Sequence, residues 1–313
     1  MEEEVQKKNK VTRIITGVIV SIIALVAIIL GSIPILILIA VISALCCREF
    51  VHILRHKGFH PSLHVMLISA LIFITLTFFH RFDLVPSMLT LSIIASFLVV
   101  LFMGRQPYIV NVATTILGAL YCGWLPCHLL LIRQIGMNRV SAFQFMPSEG
   151  LFLLLFVFVV VAFTDIGAYY FGSKFGKHKL AEVISPKKTI EGAIGGGICA
   201  IAFSLIFAYI FNIIDKANIG LNINLTLFQA IMGGLIITIS AQLGDLSESL
   251  IKRDAGVKDS SALLPGHGGM LDRFDGYIFA VPVSYYFFKH FCCGANVFVD
   301  FCNYMQGFIN AYF

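Results

Sequence analysis

SLIKRDAGVKDSSALLPGHGGMLDRFD, residues Ser249–Asp275, is a polar island in an apolar chain. It carries Lys252, Arg253, Lys258 and Arg273, the aspartates Asp254, Asp259, Asp272 and Asp275, and a Pro-Gly-His-Gly-Gly run at 265–269. It is flanked by apolar stretches at 226–245 and 276–292, the second of them short for a membrane span. A loop of this kind between spans reads as part of a polytopic helical membrane protein. Such proteins keep few charges near the bilayer, and those they keep usually serve chemistry or transport.

The rest of the chain agrees. Of 313 residues 58% are hydrophobic and 12% charged, and the mean hydropathy is +0.92. These values exclude an ordinary soluble domain. The apolar runs are continuous rather than alternating, which excludes a membrane β-barrel. The expected fold is all-α, with about nine spans near 12–31, 33–53, 62–80, 84–103, 108–132, 150–172, 190–211, 226–245 and 276–292. Gly31-Ser32-Ile33-Pro34 is the helix-breaking turn between the first two. Residues 1–13 are polar and basic, and the apolar run after them is too long for a cleaved signal peptide. The chain reads as one integral membrane domain: N-terminal helices over 1–149, catalytic helices and loops over 150–292, and a tail over 293–313. In that tail Phe298, Phe301, Tyr304, Phe308 and Tyr312 recur at helical spacing among polar residues, the pattern of an interfacial helix. The eight cysteines form no CxxC pair, so they read as buried free thiols rather than a zinc or redox site.

With the N-terminus in the cytoplasm, all but five of the 22 Lys and Arg (Arg81, Arg133, Arg139, Lys216 and Lys289) fall on the inner side. The loops at 173–189 and 246–275 then face the cytoplasm, where nucleotides are. The short N-terminal segment and compact length favour a bacterial inner membrane over an endomembrane.

Several residues in these loops could carry chemistry. Asp272 and Asp275, three apart, share a helix face and could hold one or two hard cations such as Mg2+. Arg273 between them could meet a phosphate. The competing reading is a solvated helix start, where acids favour the N-terminal dipole. Asp245 sits at the cytoplasmic edge of the eighth span as a third candidate metal ligand, with Glu248 one turn later and Gly244 allowing close approach. Asp165, late in the sixth span, could be a metal ligand, a partner of a basic side chain or a packing hydrogen-bond donor. In Ser185-Pro186-Lys187-Lys188-Thr189, Ser185 or Thr189 could cap the seventh helix, and the two lysines could clamp a triphosphate. Gly268 and Gly269 could form an anion-binding nest, with His267 bonding phosphate or acting as an acid. His52, His56, His60 and His64 recur every four residues. Gly58 and Pro61 interrupt any helix there, so they read as a juxtamembrane turn rather than a zinc site.

Three segments together carry a resemblance: Ser249-x-Ile251-Lys252-Arg253 with Lys258-Asp259 and Leu264-Pro265-x-His267-Gly268-Gly269-Met270-x-Asp272-Arg273-Phe274-Asp275; Ser185-Pro186-Lys187-Lys188-Thr189-x-Glu191-Gly192; and Gly244-Asp245-Leu246-x-Glu248-Ser249, with Asp165-x-Gly167-Ala168-Tyr169 upstream. This resembles the signature of phosphatidate cytidylyltransferases, also called CDP-diacylglycerol synthases, over roughly residues 160–280. The resemblance implies that CTP and phosphatidic acid react to give CDP-diacylglycerol and pyrophosphate with Mg2+, and a second cation stays open. It implies metals held by Asp245, Asp272 and Asp275, with Asp165 able to replace any one of them. Lys187, Lys188, Lys252, Arg253, Lys258 and Arg273 would neutralise phosphate oxygens. The implied partners are the two substrates and the bilayer, without nucleic acid, and a homodimer is compatible with the pattern. Two alternatives stand beside it: a CTP-dependent enzyme acting on another membrane lipid, and a cation-coupled transporter. The latter would call for repeated halves and acids near the midplane.

Overall fold

The computed structural model describes residues 2–136, 148–216, 225–264, 266 and 268–292. His267 and the aromatic tail at 293–313 lie outside the described residues. The helices are α1 (Glu2–Leu30), α2 (Ser32–His56), α3 (Leu63–Phe78), α4 (Val85–Met103), α5 (Tyr108–Ala119), α6 (Leu125–Arg133), α7 (Glu149–Phe175), α8 (Ile190–Lys216), α9 (Leu227–Asp254) and α10 (Leu271–Phe287). A π-turn at Leu120–Trp124 joins α5 to α6 as one continuous rod. Among the described residues six helical stretches are long and apolar enough to cross a membrane, and Ile15–Leu30 and Leu63–Phe78 are shorter apolar helices. The expected class is therefore met: a polytopic, nearly all-helical membrane protein.

The helix ends follow local chemistry. Ser62 and Ser148 cap α3 and α7 by accepting from the backbone N–H groups of Val65 and Leu151. Thr226 and Gln229 form a reciprocal capping box on α9. Gly31 breaks α1 from α2 at the expected turn with φ +64°. A Cβ there would stand 2.7 Å from the Arg133 guanidinium, so Gly31 both turns the chain and makes room. Arg133 is 1% exposed. It donates to the Ile28 carbonyl at the end of α1 and to Ser148 Oγ at the start of α7, tying three helix ends together.

Two features depart from the sequence reading. The loop at 173–189 contains a two-stranded antiparallel hairpin, β1 (Lys179–Ala181) with β2 (Ser185–Thr189). The polar island is also shorter than expected, because α9 continues to Asp254 and α10 begins at Leu271. The polar extension of α9 stays helical because its inward face is buried: Glu248 and Lys252 pair one turn apart at 2.5 Å.

One apolar core runs from Ile28 to Phe288 and joins the N-terminal and C-terminal helices. Around the site the helices approach through small residues, as membrane helices commonly do. A Cβ on Gly192 of α8 would meet the Ala168 carbonyl of α7 at 2.8 Å, and one on Gly196 would meet the Thr164 carbonyl at 2.7 Å. A Cβ on Gly244 of α9 would stand 2.6 Å from the Asp275 carbonyl of α10. Thr164 and Thr238 share a buried hydroxyl–hydroxyl bond of 2.9 Å between α7 and α9. Outward-facing side chains such as Leu101, Phe102 and Ile109 are apolar and at least 72% exposed, as a lipid-facing surface requires.

Candidate active site

At the end of the bundle opposite Arg133, the motif residues separate into two groups. The first lines a cavity of about 430 Å³ between the C-terminal half of α7, the hairpin, the start of α8 and α9. Asp165, Lys187, Lys188, Thr189, Gln242 and Asp245 face it. The close crossing at Gly244 sets Asp245 beside the Asp275 backbone. Asp275 lies within electrostatic reach of both Asp245 and Asp165, and Arg273 and Lys188 within reach of Asp165. Lys188 pairs with Asp245 at 2.5 Å. Thr189 caps α8 by accepting from the Gly192 N–H at 3.2 Å, as its place before the helix predicts. Ser185 pairs with Ala181 in the hairpin. The helix start and two strand lysines thus converge on one basin that holds both charge signs.

The second group is a closed polar network under the 255–270 segment. Asp272 Oδ1 accepts from Lys252 at 2.6 Å, and its Oδ2 accepts from Ser260 N, Ser260 Oγ and Gly269 N at 2.8–2.9 Å. Lys252 also meets Glu248. Side-chain exposure is 10% for Lys252, 6% for Asp272 and 0% for Glu248. Asp272 and Asp275 are both on the first turns of α10, as their spacing predicts, yet they serve different neighbours. Oδ2 is taken by three donors and Oδ1 by Lys252, so a cation at Asp272 would have to compete with the Lys252 ammonium.

Gly268 and Gly269 are moulded on this network. A Cβ on Gly269 would lie 2.0 Å from Ser260 Oγ, and one on Gly268, at φ +79°, 2.6 Å from Asp272 Oδ2. The N–H groups of this stretch that are bonded point at the protein's own carboxylates. Gly269 N serves Asp272, and Met270 N and Leu271 N serve Glu49.

Glu49 on α2 and Glu191 on α8 have structural tasks that the sequence reading did not assign. Glu191 accepts from the Lys177 and His178 N–H groups and from the His178 ring, pinning the chain where it enters the hairpin. Glu49 lies between Arg48 and His52 near the end of α2, so nothing in the sequence marked it out from an ordinary charged helix end. Arg253 donates to the carbonyls of Ile184 and Val257, so it braces the hairpin turn against the end of α9. Lys258 is exposed on the segment that follows. Of the histidine series, His52 and His56 stack edge to face, while His60 and His64 line a separate pocket with Arg55 and Arg105. The described cysteines are free thiols.

A second cavity of about 510 Å³ lies between α1, α2, α6, α7 and α10. Its walls are apolar apart from Thr16, Ser21, Arg273 and Tyr277. Arg273 therefore lines the apolar cavity while its charge bears on Asp165 in the polar one.

The cytidylyltransferase family matches residues 11–291. The chain belongs to the cytidylyltransferase family. Proteins named phosphatidate cytidylyltransferase are 44% identical in Staphylococcus saprophyticus and 43% in Staphylococcus haemolyticus and Staphylococcus aureus, each over 155 residues. That overlap is 50% of this chain and 55% of each relative, so the chain spans about half the length of the curated relatives it matches. The match to the family reaches into α1 and so includes the helices that wall the apolar cavity.

Proposed function

We propose that this protein transfers a cytidylyl group from CTP to phosphatidic acid, giving CDP-diacylglycerol and pyrophosphate. One observation carries the reading: Arg273, in the wall of an apolar cavity, bears electrostatically on Asp165 in a polar cavity with paired acids and lysines. A reaction between a water-soluble triphosphate and a lipid phosphate needs such a link. The relatives' name, phosphatidate cytidylyltransferase, supports the same substrates.

In this reaction an oxygen of the lipid phosphate monoester attacks the α-phosphorus of CTP, and pyrophosphate leaves. The monoester's second pKa is about 6, so the nucleophile is already largely ionised and needs no strong base. The work is to bring two anions together and hold them in line. Lys187 and Lys188, beside the N-terminus of α8, bind the triphosphate. Arg273 takes the lipid phosphate at the wall of the apolar cavity while the acyl chains lie along its apolar side chains. Lys252 acts from behind, fixing Asp272 and with it the start of α10.

The acids fit a hard divalent cation. Asp165 and Asp245 line the cavity, and Asp275 bears on both. Among the described residues no three Asp, Glu, His or Cys side chains close on one point. Mg2+ commonly takes one or two carboxylates and completes its shell with phosphate oxygens and water. Asp245 and Asp275 would hold it, with Asp165 adjacent. When bound it would offset charge on the α-phosphate and the leaving pyrophosphate. The relatives are bacterial, which supports a plasma-membrane location, and the Lys and Arg distribution favours the cytoplasmic side for this site.

The test uses purified full-length protein in detergent with phosphatidate, Mg2+ and CTP labelled at the α-phosphate. Label should move into lipid with stoichiometric pyrophosphate, and Asp275→Asn should abolish it. Folded protein that labels none of several lipid phosphates would overturn the reading and return attention to cation-coupled transport.

A further inference from the structure

Glu49 stands in the N-terminal helices, 221 positions from the nearest residue of α10's first turn that it touches. It is 4% exposed. Its Oε1 accepts from Ser261 Oγ at 2.7 Å and Met270 N at 2.9 Å, and its Oε2 from Leu271 N at 2.8 Å, with the Ser260 hydroxyl, whose one proton it shares with Asp272, 2.9 Å from Oε2. A carboxylate offers about four acceptor sites: three are filled by donors of their own, and the fourth faces the shared Ser260 hydroxyl. Two of the donors are backbone N–H groups at the start of α10, which has no side-chain cap of its own. Glu49 supplies that cap from another helix, where the helix dipole favours negative charge. The Ser260 hydroxyl lies between Glu49 Oε2 and Asp272 Oδ2, so it links the cap to the Lys252 network. Gly269 has no room for a side chain because Glu49 is there: a Cβ would stand 2.4 Å from Oε2. Farther along α2, Lys57 donates to the Asp254 carbonyl and carboxylate at the end of α9. The same helix therefore holds both ends of the 255–270 segment.

We propose that Glu49 is a positioning residue for cytidylyl transfer: it seats the start of α10 so that Arg273 and Asp275 stand in register with Asp245. The inference rests on the function proposed above. Asp275 is one turn beyond the cap, and its backbone touches Gly244. A shift of the first turn of α10 therefore moves Asp275 against Asp245 directly. Glutamine cannot replace Glu49, because its NH2 would face a backbone N–H that has no way to accept. Aspartate keeps the charge and chemistry but is one methylene short, so it should restore part of the function.

The experiment compares wild type with Glu49→Gln, Glu49→Asp and Phe50→Leu. Phe50→Leu perturbs the core of the same helix and controls for lost stability. Backbone hydrogen exchange at 268–272 is measured with kcat and the KM for CTP, at a temperature where every variant is folded. Glu49→Gln should accelerate exchange at Met270 and Leu271 at least about tenfold, the weight of one hydrogen bond. Its kcat should fall about 100-fold, the scale expected of a misplacement near 1 Å. The KM for CTP should move less than about threefold, because Lys187 and Lys188 sit on the hairpin and answer for nucleotide binding. Glu49→Asp should recover part of kcat, and Phe50→Leu should leave kcat near wild type. Wild-type kcat in Glu49→Gln, or exchange unchanged at 270–271, overturns the inference. An equal kcat loss in Phe50→Leu does the same, since it would reduce Glu49 to a stability role. Wild-type protein without transfer to any lipid phosphate sinks the proposed function instead, a failure seen before any variant is compared.

Discussion

Asp272 and Asp275 are one helical turn apart on α10, and their surroundings differ in kind. Asp272 receives four donors from its own chain. Asp275 accepts one local backbone N–H, from Gly276, and stands among other acids, Asp245 and Asp165. A carboxylate saturated by protein donors is built to hold a shape. Acids gathered beside lysines around a cavity are costly unless something positive arrives there. The contrast separates a scaffold from a site within one short motif.

The largest effect should come from the open side. Asp275→Asn or Asp245→Asn removes charge that a bound cation needs, and activity should fall by roughly 10²–10³-fold or more, the cost of losing one preorganised electrostatic partner. The thermal midpoint should stay or rise, because like charges are relieved. Transfer of label from CTP to lipid, read beside a melting curve, checks both. Asp275→Asn with near wild-type turnover would break the contrast.

Asp272→Asn tests the closed side, and its signature should be reversed. It strips a buried ammonium of a partner, which typically costs about 3–5 kcal/mol. The midpoint should drop sharply, and activity at low temperature should survive better than in Asp275→Asn. Adding Lys252→Met should return part of the stability, since the stranded charge is then gone as well. A stable but inactive Asp272→Asn would instead place this acid with the cation.

The polytopic helical class, the turn at Gly31 and the division of the chain into apolar helices and polar loops were legible from continuous hydropathy and helix breakers; the count of nine spans was not, since six described helical stretches are long and apolar enough to cross. The residues of the cavity were legible as types: acids and lysines at span edges have few other reasons to be there. Their division was not. Asp272 and Asp275 look alike in sequence because their difference lies in partners from Lys252, Ser260 and Gly269 that only folding assembles. Glu49 was invisible for the same reason, its donors lying more than 200 positions away. The hairpin was hidden because Lys187 and Lys188 make a strand with little apolar alternation to announce it. The extension of α9 was hidden because Glu248 and Lys252 read as loop charges until their mutual burial is known.

Gly269→Ala sharpens the closed side further. The new methyl must displace Ser260 Oγ or Glu49, and overpacking of this kind costs about 1–3 kcal/mol. The loss should be smaller than for Asp272→Asn but should accompany faster exchange at 269–271. A melting curve within error of wild type would mean that the network has slack.

The smallest effect should come from an ion pair of nearly the same length. Lys57 and Asp254 meet at 2.5 Å, against 2.6 Å for Lys252 and Asp272. Side-chain exposure is 36% and 59% in the first pair, against 10% and 6% in the second. Water already solvates the exposed pair and screens it, so Lys57→Ala should cost only about 0.2–1 kcal/mol. Distance therefore does not rank the two contacts; the solvent that each loses does. If Lys57→Ala destabilised the protein as much as Asp272→Asn, the grip of α2 on α9 would have to be counted with the closed network rather than at its edge.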